Sequence, residues 1–251
     1  MFRAYFVTIG AAALALGACN TGSASPSDTP VKASGTNGQR TFAIADFDSV
    51  SLAGPDNVEV RVGPAFSVTA SGDTGVMQAL EIKKDGATLE IGRKNKRNGF
   101  HWGDDDGDGK YLKIVVTMPA IRGASLAGSG DLSVDKVQGR SFNASLAGSG
   151  DLSVAQMAVT EGEVSLAGSG DMRLAGTADR IKVSIAGSGD VDGGGLTAKG
   201  GSVSVAGSGN VRMNVDGQAD VSLVGSGDVD LGAKARCTTS KIGSGEARCG
   251  G

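Results

Sequence analysis

The residues with the clearest chemical capacity lie between positions 100 and 109: Phe100, His101 and Trp102, then Asp104, Asp105, Asp106, Gly107, Asp108 and Gly109. Asp104, Asp106, Asp108 and Gly109 follow D-x-D-x-D-G, the first six positions of a calcium loop of the EF-hand type. Alternate carboxylates on a tight turn can converge on one hard cation, and the glycine permits the bend. Position twelve of such a loop would be Val115 rather than the bidentate glutamate, so only half of the motif is present. Calcium is the one candidate cofactor. The alternative is a solvated acidic hairpin tip facing the basic run at 93–97. His101 has no Ser, Cys or acid motif arranged around it and suggests a surface residue rather than a catalytic base.

A second chemistry belongs to the three cysteines. Arg3 precedes an apolar run that ends Leu16-Gly17-Ala18-Cys19, a secretory signal by charge, length and small residues. The run is too short and alanine-rich to span a membrane convincingly. Its last four residues match the bacterial lipoprotein box, in which the cysteine is lipidated and becomes the new N-terminus; the alternative is an ordinary cleaved signal. Similarity to other lipoproteins implies that Asn20 permits sorting to the outer membrane. With Cys19 committed to lipid, Cys237 and Cys249 remain as an even pair, the expected disulfide of an exported chain.

A third candidate is a series of acids. Asp131, Asp151, Asp171, Asp190, Asn210, Asp228 and Glu246 each follow a Gly-Ser-Gly triplet. If they stack, neighbouring carboxylates about 5 Å apart repel by roughly 1 kcal/mol in water. Either each side chain accepts N–H bonds within its own corner, as Asp does in turns, or the column holds cations along the edge. Asn210 in the middle favours the turn reading.

The elements that position these groups repeat. The triplet begins at residues 128, 148, 168, 187, 207, 225 and 243, with spacings of 18–20 residues. A period of that size means stacked coils, each too small to bury its own apolar side chains. Alternation of period two flanks every triplet, as in Val164 and Leu166 or Leu152 and Val154, and argues for strands. The predicted unit is a strand, a Gly-Ser-Gly corner, a short strand and a variable return. Stacking places Leu126, Leu146, Leu166, Ile185, Val205 and Leu223 in one interior column. Leu132, Leu152, Met172, Val191, Val211 and Val229 form another. The serines at 125, 145, 165, 184, 204, 222 and 240 have the opposite parity and face outward. The fold class is therefore all-β, a β-solenoid with coils of about 18–20 residues.

Domain boundaries follow from composition. Residues 1–18 are the lipoprotein signal peptide, and 19–40 the lipidated cysteine with a flexible tether rich in Ser, Thr, Pro and Gly. Residues 41–251 form one solenoid domain. Within it, 41–123 are irregular N-terminal coils, interrupted by an inserted loop at 92–110, and 124–251 hold the seven triplet repeats. The segment from Leu52 to Val60 aligns with the repeat as a worn first copy. Further strands are expected at 58–62, 66–70, 79–83, 88–91 and 111–118, with aromatics plugging the open end. Lys241 interrupts its apolar column, so the last coil needs the disulfide to pin it.

Phe47, Val50, Val58-Glu59-Val60, Leu89-Glu90-Ile91 and Ile114-Val115-Val116-Thr117-Met118-Pro119, followed by serial Ala-Gly-Ser-Gly-Asp, resemble the head GIN domain family of autotransporter-type adhesins. The resemblance covers 41–249 and implies a right-handed parallel β-helix exported from a Gram-negative cell. It carries no catalytic residues, and the insertion at 100–109 is not part of the family pattern.

Without Arg3 the chain has 23 basic and 27 acidic residues, a net charge of −4, which argues against nucleic acid as a partner. Three functional classes compete. A non-enzymatic envelope binding module, adhesin-like, with a surface protein or glycan as ligand, ranks first. A structural envelope lipoprotein ranks second, and a polysaccharide lyase or hydrolase last. After Leu112 the only aromatic is Phe142, so a glycan enzyme's aromatic platform is missing there. Phe100 and Trp102 are the ligand-contact candidates, because binding energy concentrates in large side chains that the repeats lack.

Overall fold

The computed structural model describes residues 33–35, 38–94 and 110–250. The chain opens with β1 (Ala33–Ser34), β2 (Gln39–Phe42), β3 (Ser49–Ala53), β4 (Asn57–Val62) and β5 (Ser67–Ser71). A short helix, α1 (Thr74–Ala79), precedes β6 (Leu80–Asp85), β7 (Thr88–Arg93) and β8 (Lys113–Met118). The repeats then supply β9 (Gly123–Gly128), β10 (Asp131–Val134), β11 (Val137–Gly148), β12 (Asp151–Gly168), β13 (Asp171–Gly187), β14 (Val191–Ala198) and β15 (Gly201–Gly207). β16 (Val211–Val215), β17 (Gln218–Gly225), β18 (Val229–Asp230), β19 (Arg236–Gly243) and β20 (Ala247–Arg248) complete the stack.

The chain folds as a β-solenoid of parallel coils, in register on either side of each corner and shifted by bulges in the returns. Leu146 pairs with Leu126 on one side and Leu166 on the other, and the column continues through Ile185, Val205 and Leu223. Both predicted interior columns are buried, with no member more than 3% exposed. Each fully buried Leu or Val contributes about 1.5–3 kcal/mol, so every coil depends on its neighbours to bury it. The returns are more regular than a loop. They vary in length and register, as bulges after Val154, Arg173 and Gly193 show, yet they are extended and paired, and β12 runs unbroken from one corner to the next. Alternating apolar residues such as Met157 and Val159 continue the strand period through the return.

The corners explain the glycines. Gly168, at φ 131°, occupies backbone space closed to other residues, and its carbonyl oxygen accepts N–H bonds from Ser188 (2.9 Å) and Gly189 (3.1 Å) of the next coil. A Cβ on Gly168 would be driven into the Gly148 carbonyl beneath it. The second glycine of the triplet is buried in every coil, and a Cβ on Gly170 would strike the Gly150 carbonyl.

The N-terminal region departs from a simple succession of coils. β3 pairs in parallel with both β7 and β9, and β4 with both β8 and β10. The coil of β3 and β4, which holds the worn first copy from Leu52 to Val60, is therefore the second coil in space. β7 and β8 pass outside it to form the outermost coil. Antiparallel strands then close that end, with β6 along β7 and β5 along β8, β2 along β5 and β1 along β2. The expected strand at 79–83 begins at Leu80, because Ala79 ends α1. Asp73 caps that helix, accepting N–H bonds from Gly75 (2.8 Å) and Val76 (3.2 Å). Met77 on α1, Phe42 and Phe47 are buried, and the Phe47 and Phe66 rings lie 4.9 Å apart, which plugs the end with apolar side chains.

Candidate functional site

Three features of the stack bear on function: the acidic corner column, the face beside it, and the base of the inserted loop. In the corner column Asp171, Asp190, Asn210 and Asp228 each accept a backbone N–H of the following coil, not one within their own corner as the sequence suggested. Asp190 Oδ1 accepts the backbone N–H of Asn210 (2.8 Å) and its Nδ2–H (2.9 Å). Asn210 Oδ1 accepts from the Asp228 N–H (2.9 Å), and Asp228 Oδ1 from the Glu246 N–H (2.8 Å). In a stack the corner N–H groups point along the axis toward the neighbouring coil, so that is where the donors are. Arginines offset the remaining repulsion. Arg173 meets Asp151 at 3.1 Å and Asp171 at 3.7 Å, and Arg248 meets Glu246 at 2.9 Å. Hydrogen bonds to Asp151 and Glu246 push the two guanidinium pKa values further up. The column two residues beyond the acids alternates in sign through Arg173, Asp192, Arg212, Asp230 and Arg248. Such pairing fixes register as well as charge. Lys182–Glu163 (2.8 Å), Lys199–Asp179 (2.7 Å) and Lys234–Asp216 (2.9 Å) repeat the device elsewhere.

The face preceding each corner is uncharged. Ser125, Ser145, Ser165, Ser184, Ser204, Ser222 and Ser240 form one register column, as the parity required. Ala127, Ala147, Ala167, Ala186 and Ala206 form the next, which ends in Val224 (49% exposed) and Ile242 (70% exposed). Side chains this small leave the sheet flat.

The base of the insertion rests on a buried ion pair that the sequence reading missed. Asp56 is the one buried charged residue among those described. It accepts two hydrogen bonds from Arg93, at 2.9 Å (Nε) and 2.6 Å, and the Leu112 N–H at 2.8 Å. Arg93 also donates to the Lys110 carbonyl at 3.0 Å. Both feet of the loop are thus clamped on one carboxylate. Arg93 belongs to β7, not to the projecting basic run where sequence placed it. The signal was available. Aligned with Gly-Ser-Gly, the worn corner Gly54-Pro55-Asp56 puts Asp56 at the buried second glycine. Around the feet, Lys110 meets Asp73 (3.1 Å) and Lys113 meets Glu59 (3.2 Å). The Arg61 hydrogen bond, then that of Lys113, holds the Glu59 carboxyl below its ordinary range. Lys110 does the same for Asp73.

Of the sequence-derived candidates, Cys237 and Cys249 are joined as a disulfide with Cα atoms 6.1 Å apart. Cys19, Phe100, Trp102, Asp104, Asp106 and Asp108 lie outside the described residues. Among the described residues no three His, Cys, Asp or Glu side chains gather as a metal site, and no helix is long and apolar enough to cross a membrane.

Comparison with known proteins agrees with this architecture. A "putative adhesin" from Bacteroides fragilis superposes with a TM-score of 0.74 at 19% identity, over 84% of this chain and 95% of that one. A "putative lipid binding protein" from Parabacteroides distasonis gives 0.65 at 21% identity, with the same coverage of both chains. An adhesin-named structure from Parabacteroides merdae gives 0.63 at 15%, again over 84% and 95%. At these identities the likeness is one of fold. No curated protein matches the sequence. The family model described as "Putative auto-transporter adhesin, head GIN domain" matches residues 46–235, from the worn first coil almost to the last. The chain therefore belongs to the head GIN domain family.

Proposed function

We propose that this protein is a non-catalytic, exported lipoprotein acting as an adhesin-like binding module of the bacterial envelope. The observation that supports it is the flat Ser–Ala face, uncharged along the stack while the neighbouring columns carry ion pairs across coils. The names given to the family and to the similar structures point to adhesion rather than catalysis. In this reading residues 1–18 are removed, Cys19 carries lipid, and 19–40 tether the solenoid to the outer membrane. The clamped insertion supplies Phe100 and Trp102 as contacts to a surface protein or glycan. Asp104, Asp106 and Asp108 take calcium and order it, so that cation binding tightens capture by linkage.

Protease treatment of intact cells tests the reading. The solenoid should be released as a stable fragment, in which non-reducing peptide mapping finds Cys237 joined to Cys249. Cys19→Ser should abolish membrane retention or leave the precursor uncleaved. Replacing residues 95–109 by a short Gly-Ser turn should abolish capture to surfaces with the melting transition unchanged, and chelation should weaken wild-type capture. Full protection from protease on intact cells would favour an internal structural lipoprotein instead.

A further inference from the structure

The two ends of the stack are built on opposite plans. At the N-terminal end, α1 and the antiparallel strands close the core with apolar side chains. At the C-terminal end, among the described residues, nothing pairs with the outer edge of β19, and seven of its eight residues are exposed. The same coil breaks the interior pattern. Lys241 stands in register on Leu223, and Thr239 on Val221. Cys237 stands on Ala219, and Cys249 follows the Asp230–Arg248 pair by one residue, which sets it over Leu231. The disulfide thus takes the place of apolar contacts at one side of the mouth, and polar groups occupy the other.

Charge follows the same division. Residues 234–250 carry Lys234, Arg236, Lys241 and Arg248 against Glu246, a net +3. The coil beneath, 214–231, carries Asp216, Asp220, Asp228 and Asp230 with no cation, a net −4. The terminal coil is therefore attracted to its own chain, with Lys234 on Asp216 at 2.9 Å, and repels a copy of itself. An unpaired edge of this length is an open template for another strand, and an inward-pointing charge is a known way to close one. The N-terminal end closes with α1 and antiparallel strands and offers no parallel coil to match the last one, so the stacking at issue is tail to tail. That approach would press two +3 coils together and bury Lys241 in the shared interior. The exposed Val224 and Ile242 at the rim would otherwise favour contact.

We propose that the last coil is a built-in stop. Lys241, with Thr239 and the basic surround, keeps the stack from pairing end to end with a second copy through a surface otherwise suited to it. Sedimentation velocity of the mature protein with its disulfide intact tests this. Wild type and Lys241→Arg should stay monomeric over the accessible concentration range. Thr239→Val/Lys241→Leu should dimerise with a dissociation constant at least a hundredfold lower. Should that variant precipitate, adding Ile242→Lys at the rim should return a soluble monomer. A double variant that remains monomeric, a wild type that already dimerises through this edge, or a precipitate that Ile242→Lys fails to dissolve would overturn the proposal.

Discussion

Substituting alanine for Gly168 should cost roughly 2–6 kcal/mol, a large part of the stability of a typical domain. Two independent effects combine. The φ of 131° is strained for any residue with a Cβ, worth about 1–3 kcal/mol. The new methyl also meets the Gly148 carbonyl, which is fixed by the coil beneath and cannot yield, worth about 1–3 kcal/mol more. Gly86 separates the two. It has φ 55° in the β6–β7 turn with nothing within 4 Å of an added Cβ, so Gly86→Ala should show strain alone, about 1–2 kcal/mol. Chemical denaturation of both variants reads the difference. Equal losses would mean that coils do not approach each other at the corners as described.

Asp56→Ala should cost about 3–5 kcal/mol, because it leaves the half-buried Arg93 guanidinium without its partner and the Leu112 N–H without an acceptor. The damage should be local. Amide exchange ought to quicken in β7 and β8 while the repeats from β11 onward keep their protection. Removing both charges separates a clamp from a merely favourable pair. Asp56→Ala/Arg93→Met should recover much of the loss, since the unpaired charge rather than the absent bond dominates it. A double variant as unstable as the single one would show that the Leu112 bond, not the ion pair, holds the feet.

The repeated part of the fold was legible in the sequence because one rule, the same residue over the same residue, sets every coil. From Leu126 to Val229 the period and the parity decide which side chains are buried, except at the bulges after Val154, Arg173 and Gly193. Even the worn copy at Leu52 could be aligned. What could not be read is the order of coils at the N-terminal end. Periodicity says which residues face inward but not which coil is the neighbour, and β3 accepts β7 and β9 with equal regularity. Helix α1 escaped because six residues around Met77 carry too short a pattern to distinguish from a strand edge. Turn chemistry predicts that the corner acids accept backbone N–H groups of their own turn, whereas Asp171, Asp190, Asn210 and Asp228 accept those of the next coil. Turn chemistry names the donor type, while the stack decides which donor is in reach. Arg93 was grouped with the basic residues after it because its partner Asp56 is 37 residues away in sequence.

That coil order carries the account. It puts the feet of the insertion at the outermost corner, clamped by Asp56, instead of between two repeats. Cysteine cross-linking on the outward column decides it. Ser51 is in register with Glu90 on one side and with Ser125 on the other. Ser51→Cys paired with Glu90→Cys, and Ser51→Cys paired with Ser125→Cys, should each form a disulfide on mild oxidation. Glu90→Cys paired with Ser125→Cys should not, since residues 49–62 lie between them. Rapid cross-linking of 90 to 125, with none between 51 and 125, would mean that the coils follow chain order, and the stack described here would be wrong.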